Sequence, residues 1–231
     1  NPHVTGVLPI ALEESRKIVQ ALLLSGKEYV CVMKLHREAK EKQVKKVLKK
    51  FEDTIYQRPP LRAAVKRRLR MRRIYYIDFL EKDGRNVLFK VGCEAGTYIR
   101  KLCFDVGEVL GCAAHMQELR RTRAGPFVEN GDMVTLHDVA YWFMEWQEQK
   151  DERILRKFIQ PMEKALVLVP KIYVRDSAVD AVCHGANLTA PGVLSLETRI
   201  NKGLTVAVLT LKGEVVALAK AVASTEDVLN M

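Results

Sequence analysis

The apolar and polar positions change rhythm along the chain, and each rhythm predicts an element. Residues 26–35, GKEYVCVMKL, are rich in β-branched and aromatic side chains and predict a strand. Residues 38–51 place Val44, Val47, Leu48 and Phe51 at i, i+3, i+4 and i+7, with lysines between them. That spacing predicts an amphipathic surface helix. Residues 74–82 and 86–94 predict two strands joined at DGR, a hairpin with an Asp-Gly turn. Residues 97–111 predict a helix that stops at Gly111. Residues 135–149 predict a helix capped by Thr135, and 151–166 a helix interrupted by Pro161. Ile10, Ile18 and Leu22 predict helix over 10–24. Pro59-Pro60 blocks helix at the head of 57–73 and favours an extended or turning entry.

Beyond Pro170 the texture shifts to short apolar runs broken by glycine and proline, and LKGE between two of them signals a hairpin. A domain boundary is expected near residue 169, giving 1–168 and 169–231.

Composition narrows the function class. The 231 residues are 48% apolar and 29% charged, with a net charge of +10. That is enough for a real core, and the basic balance asks for a polyanion: nucleic acid first, an anionic membrane surface second. No apolar run reaches the ~18 residues of a membrane span. The opening has no basic segment followed by an apolar stretch, so no leader is expected. Five cysteines, an odd number with no CxxC pair, predict buried thiols in a reducing compartment. The five histidines lack metal-ligand spacing, so no metal site is expected.

The charge is concentrated. Residues 62–73 hold Arg62, Lys66, Arg67, Arg68, Arg70, Arg72 and Arg73, with no acid among them. A charge run usually means a solvated face, but seven cations in twelve residues repel one another unless a polyanion lies across them. Phosphate contacts from Lys66, Arg67 and Arg68, with steep salt dependence, are the expectation. Arg120, Arg121 and Arg123 form a second cluster. The lysines of 40–50 read as solvation.

Five blocks then stand in order: NPHVTGVLP, GKEYV, QRPPLRAAVKRRLR, CEAGTYIRKL and HMQELRRTRAGPF. Together they resemble the TruB/dyskerin pseudouridine synthases, most closely the archaeal and eukaryotic branch that works in box H/ACA ribonucleoproteins. The tail from Lys171, with DSAVDAVCHGANLTAPGV and TLKGEVVALAKAV, resembles a PUA domain. The resemblance implies an α+β fold: a mixed-sheet catalytic domain lacking its N-terminal part, followed by a small RNA-binding β-barrel. It implies an RNA isomerase that uses no cofactor. Such an enzyme breaks the N-glycosidic bond of a flipped uridine, rotates the uracil and rejoins it through C5.

The resemblance also assigns residues. Arg100 of GTYIR matches the cation that holds an essential carboxylate ionised in a nearly dry pocket. Tyr29 matches the tyrosine that stacks on the base and takes part in moving the C5 proton. Leu119 matches an apolar wall of the pocket. Residues 57–73 look like the thumb loop that closes over substrate, with Arg62, Lys66, Arg67, Arg68 and Arg70 on RNA. Arg120 and Arg121 would flank the pocket, and Gly185 would let the PUA backbone approach RNA. The catalytic aspartate position falls on Asn1, which is neutral and a poor nucleophile or base. Read literally, the chain is expected to be inactive.

Implied partners are guide RNA, substrate RNA and the small H/ACA partner proteins, with no membrane. The implied setting is the cytoplasm of an archaeon, or the nucleolus in a eukaryote. A stand-alone tRNA isomerase is a close variant. A non-catalytic RNA-binding scaffold of the same fold is the alternative that Asn1 favours.

Overall fold

The computed structural model describes residues 4–60 and 65–230. In chain order the first elements are β1 (Val4–Gly6), α1 (Val19–Leu24), β2 (Lys27–Leu35), α2 (Glu41–Lys50), β3 (Asp53–Gln57) and β4 (Arg70–Asp83). Then come β5 (Asn86–Cys93), α3 (Ile99–Leu110), β6 (Ala114–Ala124) and β7 (Phe127–Val128). The remainder carries α4 (Leu136–Gln149), α5 (Leu155–Phe158), β8 (Lys171–Val174), α6 (Asp176–Cys183), β9 (Val193–Leu196), β10 (Thr205–Leu209), β11 (Val215–Lys220) and α7 (Thr225–Leu229). Two compact units emerge: residues 1–10 with 23–133, and residues 11–22 with 134–231.

The first unit is a seven-stranded sheet in the order β1-β6-β2-β5-β4-β3, with β7 on β6. β1 runs parallel to β6 and the other pairs are antiparallel, so the sheet is mixed. Strand alternation sends Cys31, Met33 and Leu35 of β2 and Val87, Phe89 and Val91 of β5 into one face, all fully buried. The same core takes Val44 and Leu48 of α2 and Leu102, Cys103 and Val106 of α3. The α2 residues are two of the four that the helical spacing singled out; Val47 and Phe51 pack at its edge.

Helix α3 ends as expected, with Gly111 at φ 70° donating its N–H back to Glu108. Helix α4 starts with a full capping box, in which the Thr135 hydroxyl accepts from the Asp138 N–H and the Asp138 carboxylate accepts from the Thr135 N–H.

Several sequence expectations shift. β4 begins at Arg70, not Ile74, because the unforeseen edge strand β3 pairs with its first residues. The hairpin turn is Gly84-Arg85, with Asp83 already paired to Asn86. Residues 10–24 are a 3₁₀ turn over Glu13–Ile18 followed by the short α1. Residues 151–166 carry only α5 and a second 3₁₀ turn. Ile159 is already extended, two residues ahead of Pro161.

The second unit is built on a four-stranded sheet in the order β11-β10-β8-β9. Val174, Val206, Ala207, Val208 and Leu209 are its buried residues, joined by Ile200 and by Thr225, whose hydroxyl bridges the Ile200 N–H and the Glu197 carbonyl. No helix among the described residues is long and apolar enough to cross a membrane.

Candidate active site

Tyr29 and Leu119 share one sheet face because β2 and β6 pair in register. β2 and β6 pair so that Tyr29 lies opposite Arg121 and Cys31 opposite Leu119. On the far side of β6, β1 sets Val4 beside Leu119 and Gly6 beside Arg121. Tyr29 and Leu119 both pack against the buried core. They face the same side as Cys31, whose thiol lies 3.6 Å from that of Cys103 on α3.

Arg100, Cys103 and Gly107 form one stripe of α3 at i, i+3 and i+7. Gly107 sits flush on the start of β6, where an added Cβ would lie 2.2 Å from the Ala114 nitrogen. Cys103 sits over β2. Arg100 continues the stripe to the helix N-terminus. Its side chain is exposed, while Ile99 beside it is buried.

The start of α3 is pinned by a residue that sequence reading missed. Gln57, the last residue of β3, is 2% exposed. Its amide nitrogen donates to the Tyr98 carbonyl (3.2 Å), and its amide oxygen accepts from the Tyr98 N–H (2.9 Å). The only hint in the sequence is a polar residue just ahead of Arg-Pro-Pro. The loop before the helix is held from the basic run. Arg72 pairs with Glu94 at 3.6 Å and lies against Gly96, which takes φ 81°. Glu94 also accepts from the Arg73 N–H at 3.0 Å.

A second unforeseen residue is Glu28, an acid in mid-strand whose parity points it to the other face. Its carboxylate accepts from the Thr122 hydroxyl (2.7 Å) and from the Tyr76 hydroxyl. Burial pushes the Glu28 carboxyl up. The Tyr76 and Thr122 hydroxyls, with the charges of Lys90 and Arg123, outweigh that and hold it below the usual carboxylate range. Tyr76 is pushed up to about 12, by burial and then by Glu28. Gly92 leaves room for the Tyr76 ring, which an added Cβ would meet at 2.3 Å.

Burial also raises the Tyr29 phenol; Cys93 adds to this, and the Arg121 guanidinium against the hydroxyl opposes it. Arg121 is half-buried, and its Nε donates to the Val7 carbonyl at 2.6 Å. Arg121 is therefore committed within the fold rather than standing free on a cationic surface. Arg120, on the opposite face, is exposed and committed to Glu129.

The basic run divides. Lys66, Arg67 and Arg68 are exposed in an irregular segment. Arg67 donates to the Pro59 carbonyl, at 3.3 Å. Arg70 is not in that segment: it is half-buried on β4, opposite Gln57. Asn1 and Arg62 lie outside the described residues. Gly185 takes φ 87° just past α6, and its N–H donates to the Val182 carbonyl. Helix termination alone accounts for that glycine.

The first 99 residues match the N-terminal domain of TruB family pseudouridylate synthases. Residues 100–167 match the C-terminal domain of tRNA pseudouridylate synthase B, and residues 170–231 match the PUA domain. The probable tRNA pseudouridine synthase B of Methanopyrus kandleri is 58% identical over 230 residues, all of this chain and 68% of that protein. The chain belongs to the TruB family of pseudouridylate synthases.

The Pyrococcus abyssi relative of the same name is 57% identical over 99% of this chain and 69% of its own length. Among solved structures, a Cbf5-Nop10-Gar1 complex contains a chain that superposes with TM-score 0.97 at 53% identity, covering 100% of this chain and 70% of that one. An H/ACA ribonucleoprotein bound to a substrate RNA containing 2′-deoxyuridine gives TM-score 0.92 at 49% identity, with the same coverage. The fold is thus a TruB-type catalytic domain of mixed sheet and helices followed by a PUA domain, and the family chemistry is RNA isomerisation.

Proposed function

We propose that this chain is the catalytic subunit of a guide-RNA (box H/ACA) ribonucleoprotein that converts uridine to pseudouridine in rRNA or tRNA. The observation that supports the reading is the register that sets Tyr29 of β2 and Leu119 of β6 on one sheet face, with β1 alongside β6. Residues 1–168 form the catalytic part and 169–231 the PUA part. Nop10- and Gar1-like proteins are the partners, and the setting is an archaeal cytoplasm.

The reaction is an isomerisation. The N1–C1′ bond breaks, the uracil turns, C5 bonds to C1′, the C5 proton leaves and N1 gains a proton. Arg100 holds the charge of a carboxylate at position 1. Tyr29 stacks on the base and receives the C5 proton, and Leu119 walls the pocket. Lys66, Arg67 and Arg68 grip phosphates. Asparagine at position 1 supplies neither nucleophile nor base, so the chain with Asn1 binds RNA without turnover. Asparagine there also supports the second reading, a scaffold that keeps the fold and lacks the chemistry.

Guide dependence is tested by gel-shift titration with an H/ACA guide RNA and with the same RNA whose ACA is scrambled. The guide reading expects at least tenfold weaker binding to the scrambled RNA. Equal affinities would remove it in favour of stand-alone action.

A further inference from the structure

Three basic residues, Arg120, Arg121 and Arg123, crowd one strand, and their partners separate them. Arg120 lies on the back face of the sheet with its charge on Glu129, and Arg123 is exposed near Glu28. Arg121 alone of the three stands directly opposite Tyr29 in the pairing of β2 with β6. It is locked there from the chain opening: the Val7 N–H donates to the Arg121 carbonyl at 2.8 Å, and the Arg121 Nε donates back to the Val7 carbonyl at 2.6 Å. Backbone and side chain of one residue thus close a ring with Val7, which is buried. The fit of β1 against this arginine is tight. Gly6, at φ 99°, has the Arg121 carbonyl oxygen 2.1 Å from where a Cβ would stand, so no other residue fits there.

We propose that Arg121 is a positioning residue for Tyr29, a guanidinium fixed by Val7 opposite Tyr29 that donates to the phenol oxygen and so holds that oxygen and the ring toward the bound base. The inference rests on the functional reading above and deepens it. A guanidinium has only donors, so the Tyr29 oxygen must accept from it, and the phenol proton is left to point away from Arg121. A nearby cation also favours the phenolate, the form that can accept the C5 proton. The same ring ties Val7, just past β1, to the strand that carries Arg121. Arg121 uses its donors inside the fold, which sets it apart from Lys66, Arg67 and Arg68.

Three groups face Tyr29 from the elements packed on it: Arg121 from β6, Cys93 from β5 and, two residues back on its own strand, Lys27. Cys93 is buried, with its thiol pushed up to about 11 by that burial. Burial and Arg121 lower the Lys27 ammonium. Replacement of Arg121 leaves the other two in place.

The test uses the chain as it stands, loaded with 3-fluorotyrosine and followed by ¹⁹F NMR. Tyr29→Phe identifies the Tyr29 line. Arg121→Gln is expected to move that line at neutral pH and to weaken its ionisation at least tenfold. Arg121→Lys should recover part of the shift, and it keeps the experiment informative if the Gln variant fails to fold. Neither change should alter the salt dependence of RNA binding, whereas Arg67→Ala should reduce it. A Tyr29 line unmoved in both Arg121 variants overturns the proposal, as does a loss of salt dependence equal to that of Arg67→Ala. The functional reading fails separately, by absence of isomerisation when Arg121 is intact and position 1 carries aspartate.

Discussion

Two arginine-rich stretches look alike in sequence and do opposite work. In residues 65–69 the cations stand in solvent, and the Arg67 guanidinium reaches only a backbone carbonyl, that of Pro59. On β6 two of the arginines are engaged within the fold: Arg120 on Glu129 and Arg121 on Val7. The difference teaches that charge density does not report availability. Parity and register do. A cation on an irregular exposed segment can meet a phosphate at little cost, whereas one wedged between strands must first give up an internal bond worth about 1.5–3 kcal/mol.

Substitutions separate the two stretches. The largest effect is expected at Arg100. With aspartate at position 1, Arg100→Ala should abolish turnover, by at least a hundredfold in single-turnover assays, while guide-RNA affinity moves less than twofold. A turnover rate within threefold of the parent would remove Arg100 from the site.

Next is the exposed triplet. Lys66→Ala, Arg67→Ala and Arg68→Ala together should lower the slope of log affinity against log salt by about 2–3, at roughly 0.7–0.9 for each phosphate no longer neutralised. Arg120→Ala should leave that slope unchanged. An equal slope change from both would mean that the two stretches do the same job after all.

A smaller effect tests what holds the strands around Tyr29. Glu28→Ala leaves the Tyr76 hydroxyl without its acceptor and should cost about 1–3 kcal/mol in urea unfolding. The sign with pH follows from the depressed Glu28 carboxyl. Its stabilisation is fully present above the unfolded carboxylate value of about 4.3 and disappears as pH falls through the lower folded value. The gap between parent and variant should therefore shrink on acidification below about pH 4; a gap that widens there would contradict the assignment. The smallest effect is expected at Gly185→Ala. It should cost roughly 1–2 kcal/mol from the left-handed backbone alone, with no change in guide-RNA affinity. A tenfold loss of affinity would instead restore a direct RNA role for that glycine.

Much of the fold was legible because its signals are local. Val44 and Leu48 repeat at helical spacing, Gly111 stops α3, and Thr135 caps α4 with Asp138. The edge strand β3 was not, since Asp53–Gln57 carries a single apolar branched residue and gains its strand character from pairing with β4. That pairing also drew Arg70, Arg72 and Arg73 out of the expected loop. The candidate site was legible through ordered blocks rather than through periodicity. Arg100 looks like any helix arginine until Cys103 and Gly107 show which stripe it extends. Glu28, Gln57 and the inward turn of Arg121 needed the register, because each acts across strands distant in sequence.

The central claim is that this face of the sheet isomerises uridine once position 1 can ionise. The direct measurement is tritium release from RNA carrying [5-³H]uridine at the guided position, comparing the chain as it stands with its Asn1→Asp variant and with Asn1→Asp plus Arg100→Ala. Release by Asn1→Asp alone is the predicted result. No release from Asn1→Asp with guide and substrate RNA bound would contradict the claim and leave the scaffold reading in its place.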